Sequence, residues 1–211
     1  MTARRVVVVR HGRTAHNQNG IWQGQLDVPL DDVGVLQAKA AAPVLAAEVL
    51  DGAPVAVVSS DLSRAAGTAA AVADVLGVPV TLDERLRETY AGRWQGLTRA
   101  QIAAAGWGGE FESWRRGDDV PAGGGERRTE VGARGAAAIR DHAAALDGGT
   151  LVVVAHGGLL RVAILTLLGL DPARWGMLLG GLGNCEWARL APGEPSWRML
   201  GYALHARPAA G

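Results

Sequence analysis

Three short runs of apolar, largely β-branched residues are the clearest feature of the hydrophobic pattern. Val6–Val9, Val55–Val58 and Leu151–Val154 contain no polar position. Such runs are typical of strands that are covered on both faces, because a strand with one wet face alternates apolar and polar residues. We therefore predict three buried strands in a sheet that has helices on both sides.

Helical spacing follows the first two runs, and an aspartate precedes each helix in a position to cap it. After Asp31, the apolar positions expected on one helix face are Val33, Leu36, Ala40, Val44 and Leu45. After Asp61, they are Leu62, Ala66, Ala69, Ala73 and Leu76. Arg64 falls outside the second stripe, so packing in the core does not account for it. Strands that alternate with helices predict βαβ units, a mostly parallel sheet and an α/β fold.

The middle of the chain is less regular and is rich in glycine, tryptophan and charge. A short helix is predicted over Glu110–Arg116, followed by a loop of proline and glycine. Because long loops in compact domains often cover binding sites, we predict a lid or substrate loop at residues 106–128 within a single domain, residues 1–211. A linker is the alternative, but the flanking segments are small for independent folding. Near the end, Asn184–Leu190 and Ser196–Leu204 predict an edge hairpin.

Composition narrows the class of protein. The formal net charge of zero gives no reason to expect non-specific binding to nucleic acid or to anionic membranes. Cys185 is the single cysteine, which excludes an intrachain disulfide and a cysteine-based metal site and fits a reducing compartment. The longest apolar run, Leu159–Leu170, is interrupted by Arg161 and is shorter than the roughly 20 residues of a membrane span. The apolar stretch near the N-terminus is also too short for a signal peptide, so we expect a cytoplasmic protein.

Reactive side chains follow the predicted strands at the point where each strand ends. Arg10 and His11 come directly after the first strand, Arg64 stands on the first turn of the helix after the second, and His156 with Gly157 follows the third. Ligands of open α/β sheets bind outside the carboxyl ends of the strands. Helix N-termini and arginine side chains both bind oxyanions. The sequence therefore predicts that a phosphoryl group binds at this edge of the sheet.

A metal site is the main alternative for the two histidines, because imidazole is a common metal ligand. Such a site would need neighbouring carboxylates or cysteines, and the flanking arginines would repel a cation. We therefore predict neither a metal nor another cofactor. The other histidines, His16, His142 and His205, have no comparable setting, and we expect the last two to be solvated.

Five segments resemble successive motifs of the histidine phosphatase (phosphoglycerate mutase-like) superfamily. They are RHGRTAHN, WQGQLDVPLDDVGVLQA, SSDLSRAAGTA, LRETYAGRWQG and VAHGG, in the family's order, and the resemblance runs from Val6 to about Asn184. It implies a three-layer α/β/α sandwich around a mixed, mostly parallel sheet. It also implies phosphoryl transfer through a phosphohistidine.

The resemblance also implies roles for individual residues. His11 would attack phosphorus, and Arg10, Arg64 and His156 would stabilise the charge on the transferred group. Other positions that match phosphoryl-binding residues of the family are Asn17, Gly157, Gln23 and Gly24. A plain turn is the alternative reading of the last two.

A proton donor is needed for the leaving oxygen, and a carboxyl that exchanges its proton near neutral pH is suited to that task. By local sequence alone, Asp83, Glu84 and Glu88 are equivalent candidates. LRETYAG resembles the acid motif of the family, and this resemblance implies that Glu88 is the donor.

The type of reaction is less constrained, because hydrolysis and mutase chemistry share the first half-reaction. Mutases of the family are longer between the acid motif and the second histidine motif, where this chain has only Leu97–Thr150. PAGGGERR also resembles a phosphatase-type loop, with Arg127 in place of a serine. WRRGDDVP partly resembles the basic stretch of mutases, so a phosphoglycerate mutase is the alternative to a phosphatase. A non-catalytic phosphate-binding module is a third reading, although no catalytic motif is missing.

The C-terminal third bears on the substrate. VAHGGLLRVAILTLLGLDPARWGMLLGGLGNCEW resembles the glucosyl-3-phosphoglycerate phosphatase branch through a shared LGG-x-GN-x-x-W run. The alternative is that Gly180, Gly181 and Gly183 only turn the chain before an edge strand. The run implies a sugar phosphate or a phosphoglycerate-type acid as substrate, and a phosphatase of broad specificity is the equal alternative. We predict a small phosphomonoester as substrate, no nucleic-acid or membrane partner, and a homodimer as in relatives.

Overall fold

The computed structural model describes residues 2–206, and six strands within them form one sheet. Their bounds are Arg5–Arg10 (β1), Val55–Ser59 (β2), Val80–Leu82 (β3), Thr150–Ala155 (β4), Trp187–Ala191 (β5) and Arg198–Leu204 (β6). The order across the sheet is β3-β2-β4-β1-β5-β6. The first four strands in that order run parallel, β5 is antiparallel to β1, and β6 is antiparallel to β5. The predicted mixed, mostly parallel sheet is confirmed.

Helices connect the strands and cover the sheet. Their bounds are Ala15–Gln18 (α1), Asp32–Val49 (α2), Ser63–Leu76 (α3), Arg99–Ile102 (α4), Gly108–Arg116 (α5), Arg128–Ala144 (α6), Gly157–Leu167 (α7) and Pro172–Trp175 (α8). Short 3₁₀ turns occur at Glu84–Leu86, Gly92–Trp94 and Ala122–Gly124. Within the described part of the chain, no helix has the length and apolar character needed to cross a membrane.

The central strand β1 is buried on both faces. Val6 and Val8 pack with α6 and α7 in one core, which includes Ile139. Val7 and Val9 pack with α2 and α3 in a second core on the opposite face of the sheet. Because successive side chains of a strand point to opposite faces, two covered faces require the unbroken apolar run that the sequence shows. The predicted three-layer sandwich is confirmed.

The three predicted strands are confirmed with slightly wider bounds, and so is the C-terminal edge hairpin, formed by β5 and β6. The edge strand β3 was not predicted. It has only three residues, two of which are exposed, so it carries no periodic apolar signal.

The predicted buried face of α2 is wrong except at Leu45, which is fully buried. Val33, Leu36 and Val44 are 40, 64 and 37% exposed. The buried positions are mostly small residues: Gly34, Ala38, Ala41, Ala42, Leu45, Ala46 and Val49. The cause is a close approach, since a Cβ on Gly34 would lie 2.0 Å from the backbone oxygen of Arg13, in the loop after β1. A hydrophobicity pattern gives most weight to large side chains and therefore selects the opposite face.

One of the two predicted helix caps is confirmed. Asp31 Oδ1 accepts a hydrogen bond of 2.8 Å from the Gly34 N–H. By contrast, α3 has no side-chain cap, and Asp61 pairs with Arg87 at 2.9 Å between Oδ1 and Nε. The predicted apolar stripe of α3 is also rotated, because Arg64 lies on the buried face of the helix and is fully buried.

A separate small core lies beside the sheet and includes several side chains of the segment that was predicted to be irregular. Trp22 meets three aromatic rings of this core edge to face. The buried members are Ala91, Trp94, Ile102, Phe111, Trp114 and Ala122. The short helix predicted over Glu110–Arg116 is confirmed as α5, which begins two residues earlier.

The two histidines that were predicted to be solvated differ in their exposure to solvent. His205 is exposed, as predicted. His142 is 25% exposed, and its Nε2 lies 2.9 Å from Asp83 Oδ2. The prediction for His142 is wrong because α6 packs against the turn at Glu84–Leu86, which brings this carboxylate to the helix.

Candidate active site

The carboxyl ends of β1, β2 and β4 meet at one edge of the sheet. Arg10 pairs with Ala155 in the sheet register, and the His11 N–H donates to Ala155 O at 3.0 Å. After β2, the Ser60 N–H donates to Val154 O, also at 3.0 Å. A cavity of about 540 Å³ opens at this edge, so residues that are far apart in the chain form one site.

His11 lines the cavity although only 2% of the residue is exposed. Its Nδ1 lies 2.6 Å from Gly12 O. Because a carbonyl oxygen only accepts, Nδ1 carries the proton and the lone pair of Nε2 is available. Burial lowers the pKa of His11 well below 6.5, and the charges of Arg10 and Arg64 lower it further. The imidazole is therefore neutral at neutral pH, which is the nucleophilic form.

His156 lies beside His11, with 5.1 Å between the ring centroids and 61° between the ring planes. Its Nε2 lies 2.9 Å from Ser60 Oγ, which also accepts a bond of 3.3 Å from the Leu62 N–H. The Ser60 hydroxyl hydrogen can then be donated to Nε2, which leaves the ring proton on Nδ1. Unlike His11, His156 is fully buried and is not among the residues that line the cavity. Its Nδ1 has no hydrogen-bond partner within residues 2–206 and is left as a free donor beside His11. Burial, the largest cause, and the neighbouring His11 lower the pKa of His156.

Arg10 and Arg64 are oriented by carbonyl oxygens. Arg64 donates through Nη1 to Leu26 O and through Nη2 to Gly24 O, both at 2.8 Å, and Arg10 Nη1 donates to Leu182 O at 2.6 Å. Burial lowers the pKa of both guanidinium groups, yet they stay charged at neutral pH because arginine titrates far above it. Since carbonyl groups orient a guanidinium without neutralising it, the site retains positive charge for an anion.

Glu88 lies at the N-terminus of α7, where the sequence led us to expect the phosphoryl group. Its carboxylate accepts hydrogen bonds from the N–H groups of Gly158 at 2.9 Å and Leu159 at 2.8 Å. A Cβ on Gly158 would lie 2.6 Å from Glu88 Oε1, so glycine permits this approach. Gly157 lies next to Arg10 instead, with 3.3 Å between its virtual Cβ and the Arg10 Nε. An acid of this chain therefore occupies much of the helix terminus.

The remaining predicted site residues line the same cavity. Asn17 Oδ1 accepts from the Thr14 N–H at 3.2 Å and from Asn184 Nδ2 at 3.3 Å, which leaves the Asn17 amide NH₂ for a ligand. Gln23 Oε1 accepts from the Thr14 hydroxyl at 2.9 Å. Gly24 has a φ of +52°, so this segment is both a turn and a part of the cavity wall.

Neither rival acid reaches the cavity, since Asp83 and Glu84 are not among its lining residues. Asp83 instead binds Arg85 and His142, and these hydrogen bonds help to lower its pKa to about 2. Across residues 2–206, no group of three His, Cys, Asp or Glu side chains is arranged to hold a metal ion.

Sequence reasoning missed residues that hold the loop after β1. Asn184 Nδ2 donates to His11 O at 3.0 Å, and the Gly12 N–H donates to Thr68 Oγ1 at 3.0 Å. Both residues lie inside quoted motifs, but neither follows a predicted strand. Their position in those motifs was the one available signal.

The rest of the cavity wall is aromatic and cationic. Trp22, Phe111 and Trp114 contribute aromatic surface, and Arg115 and Arg161 contribute positive charge. Phe111, Trp114 and Arg115 belong to α5. The segment predicted as a lid therefore forms part of the wall.

The chain is similar to known proteins in both sequence and fold. The sequence profile of the histidine phosphatase superfamily (branch 1) matches residues 6–205. A glucosyl-3-phosphoglycerate phosphatase of Mycolicibacterium vanbaalenii is 43% identical over 198 residues, which are 90% of this chain and 85% of that protein. A probable phosphoglycerate mutase of Yersinia pestis is 33% identical over 208 residues, which are 95% of this chain and 91% of that protein.

A solved structure extends the likeness to the fold. The mycobacterial glucosyl-3-phosphoglycerate phosphatase in complex with VO3 has a TM-score of 0.86 and 40% identity, covering 95% of this chain and 99% of that one. The chain belongs to the histidine phosphatase superfamily, branch 1. It is a phosphatase of that superfamily, and its substrate is a small phosphorylated compound.

Proposed function

We propose that this phosphatase hydrolyses the phosphomonoester of a sugar-bearing phosphoglycerate-type acid, and that the reaction passes through a phosphohistidine on His11. The observation that carries the proposal is the state of His11. Its Nδ1 is bonded to Gly12 O at 2.6 Å, and burial together with Arg10 and Arg64 keeps the ring neutral. A neutral imidazole between two cations suits attack on a phosphate dianion, because the cations bind the dianion while the nucleophile stays unprotonated.

In the first half-reaction, Nε2 of His11 attacks phosphorus, and the bond between phosphorus and the ester oxygen breaks. Arg10, Arg64 and the Nδ1–H of His156 bind the non-bridging oxygens, on which charge is spread in the transition state. Glu88, in its protonated form, gives its proton to the departing alkoxide. Glu88 is the sole carboxyl among the described residues that line the cavity, which supports this assignment over Asp83.

In the second half-reaction, water takes the place of the alcohol. The Glu88 carboxylate accepts a proton from this water, whose oxygen attacks phosphorus while the bond from phosphorus to His11 Nε2 breaks. Inorganic phosphate leaves, and His11 and Glu88 return to their starting forms. The hydrogen bonds that Glu88 accepts from Gly158 and Leu159 fix its oxygens at the start of α7 and support the role of base.

Four further residues are assigned to phosphate binding. The Asn17 amide NH₂ and the Gly157 N–H donate to phosphoryl oxygens, and Gln23 and Gly24 lie next to them. All four line the cavity, which supports the assignment. A lid at residues 106–128, independence of metal ions, a homodimer and a cytoplasmic location stay predictions from the sequence.

Two observations support the substrate class. The relative at 43% identity and the solved structure at 40% identity are both glucosyl-3-phosphoglycerate phosphatases. In addition, a cavity of about 540 Å³ exceeds the needs of a phosphate ion, and Trp22 and Trp114 offer aromatic surface to a sugar ring.

The test is to trap the intermediate and to identify the product. The protein is mixed with ³²P-labelled glucosyl-3-phosphoglycerate and quenched in denaturant at alkaline pH, because the phosphorus–nitrogen bond hydrolyses in acid. We expect label on the wild-type protein, no label on His11→Ala, and release of inorganic phosphate. Isomerisation of 3-phosphoglycerate without phosphate release would identify a mutase, and binding without label or product would identify a non-catalytic module.

A further inference from the structure

Arg161 is a cation in the wall of the cavity that no group within residues 2–206 neutralises by contact. It lies on α7, one helical turn beyond Gly157, and lines the cavity. Its Nε is buried and unpartnered. Across the described residues, its guanidinium takes part in none of the side-chain hydrogen bonds or ion pairs.

The other arginines in and around the cavity differ from Arg161 in this respect. Arg10 and Arg64 donate to backbone carbonyls. Arg128 donates to Asp118 O and stacks over the Trp114 ring at 4.1 Å. Arg99 pairs with Glu112 at 2.9 Å. Arg115, also in the wall, lies 3.9 Å from Glu112. Among the arginines that line the cavity, Arg161 is thus the one with no hydrogen bond or ion pair across residues 2–206.

The charges around Arg161 also distinguish it from the other arginines. Burial, and after it the charge of Arg161, lower the pKa of Arg128 to about 10, so two like charges lie within range of each other. The acid that acts on Arg161 is Glu88, but Glu88 directs its oxygens to the N–H groups of Gly158 and Leu159. A partly buried cation without a partner is costly, and a bound anion would offset that cost.

We propose that Arg161 binds the carboxylate of the substrate and thereby selects phosphorylated acids over phosphorylated alcohols. This inference rests on the proposed function and names the group that the site recognises besides the phosphate. Residues four apart on a helix lie about 5–6 Å from each other, so Arg161 is one turn from Gly157 at the phosphoryl end. In a 3-phosphoglycerate unit, the carboxylate is a few bonds from phosphorus, which matches this separation. The planar guanidinium can bind both carboxylate oxygens.

The test compares two ligands that differ in one group. 3-Phosphoglycerate and glycerol 3-phosphate have the same three-carbon frame and phosphate, but the second has a hydroxymethyl group in place of the carboxylate. For Arg161→Gln we expect KM for 3-phosphoglycerate to rise about 10- to 100-fold, kcat to change little, and KM for glycerol 3-phosphate to stay nearly constant. Arg161→Lys keeps the charge without the planar guanidinium, so its KM for 3-phosphoglycerate should lie between those of the wild type and Arg161→Gln.

A binding measurement separates this inference from the proposed function. In the His11→Ala background, calorimetry gives Kd for both ligands with and without Arg161→Gln, whether or not the chain turns them over. Discrimination that disappears with Arg161→Gln supports the inference even where turnover is absent. Thermal unfolding of each variant checks that the fold is retained, and Arg161→Lys serves where Arg161→Gln does not fold.

Arg99→Gln is the matched control, because it removes the same charge from the same cavity wall. Since Arg99 already pairs with Glu112, we expect it to leave the ratio of the two Kd values unchanged. An equal effect of Arg99→Gln would mean that the cavity responds to overall charge and would overturn the inference. So would an equal fall in kcat on both substrates with an unchanged KM ratio, which would make Arg161 a positioning residue for Glu88.

Discussion

Glu88 Oε1 accepts a hydrogen bond of 2.8 Å from the backbone N–H of Leu159, 71 positions further along the chain. This bond joins the proposed acid to the first turn of α7, the helix that begins directly after His156. The acid and the second histidine are therefore held by the same backbone segment. A ligand that approaches His11 meets both in fixed positions, which is the preorganisation that phosphoryl transfer requires.

Glu88→Gln should lower kcat for alkyl phosphates by roughly 10²- to 10⁴-fold, the usual range for one positioned acid or base. The loss at the phosphorylation step should be smaller for p-nitrophenyl phosphate, because its leaving group departs as a stable anion. Inorganic phosphate should inhibit as well as before or better, since a negative charge is removed. Steady-state rates on both ester types and the phosphate inhibition constant measure these effects.

Glu84→Gln is the control for this prediction. Glu84 is exposed and does not line the cavity, so its rates should equal those of the wild type. If Glu88→Gln hydrolyses both ester types at wild-type rates, Glu88 is not the proton donor.

His11→Ala should abolish turnover and the covalent intermediate while the fold remains intact. The ring makes one side-chain hydrogen bond, to Gly12 O, so its loss should cost little stability compared with the loss of the nucleophile. Phosphate release and circular dichroism provide the two measurements. Residual activity near that of the wild type would remove His11 from the mechanism.

The sequence predicted the part of the fold that apolar burial dictates. Val6–Val9 is covered on both faces, and such burial leaves an unbroken apolar run. The orientation of α2 was not predictable in this way, because Gly34 faces the core through the close approach of its backbone to Arg13 O. Large apolar residues such as Leu36 therefore lie on the exposed side of α2. Periodicity reports side-chain size and hydropathy, whereas this contact depends on the absence of a side chain.

The site, too, was predictable from the sequence only in part. The sequence placed Arg10, His11 and His156 together because each follows a strand, and the structure brings them to one edge of the sheet. It gave no sign that Glu88 occupies the N-terminus of α7, since that contact joins distant segments whose meeting depends on the packed fold. Arg161 was noted only as an interruption of an apolar run, because periodicity does not show which cations lack a partner.

Arg64→Ala should weaken phosphate binding and slow all substrates alike, because its charge acts on the phosphoryl group itself. The structure adds a cost in stability. Leu26 O and Gly24 O would each lose a hydrogen-bond donor. Of the two bonds, the one to Gly24 O is buried, and an unsatisfied buried group costs about 1–3 kcal/mol. At about 2–4 °C per kcal/mol, Tm should fall by several degrees, as measured by calorimetry. The control is Arg140→Ala, on the exposed side of α6, which should change neither Tm nor the rates. Similar Tm values and rates for Arg64→Ala and Arg140→Ala would contradict the role of Arg64 in phosphate binding.

Chelators should leave the activity unchanged. The groups assigned to the phosphoryl oxygens are Arg10, Arg64, His156 and Asn17, and the two arginine charges would repel a metal ion. Dialysis against EDTA followed by a rate measurement tests this point. Loss of turnover that a divalent metal restores would overturn this description of the site.

The free energy of unfolding should fall as the pH drops below the pKa of histidine in the unfolded chain. Burial, the largest cause, and neighbouring cations lower the pKa of both His11 and His156 in the folded protein, whereas an unfolded histidine titrates near about 6.5. Below that pH the unfolded chain binds protons that the folded chain does not, so the free energy of unfolding decreases by up to about 1.4 kcal/mol per pH unit for each histidine. Urea unfolding between about pH 5 and 7 isolates this effect, because Asp83, with a pKa of about 2, contributes only at lower pH. His11→Ala should reduce the slope of the free energy of unfolding against pH, whereas His205→Asn, at an exposed position, should not. Equal slopes for these two variants and the wild type would show that the buried imidazoles do not set the acid limit of stability.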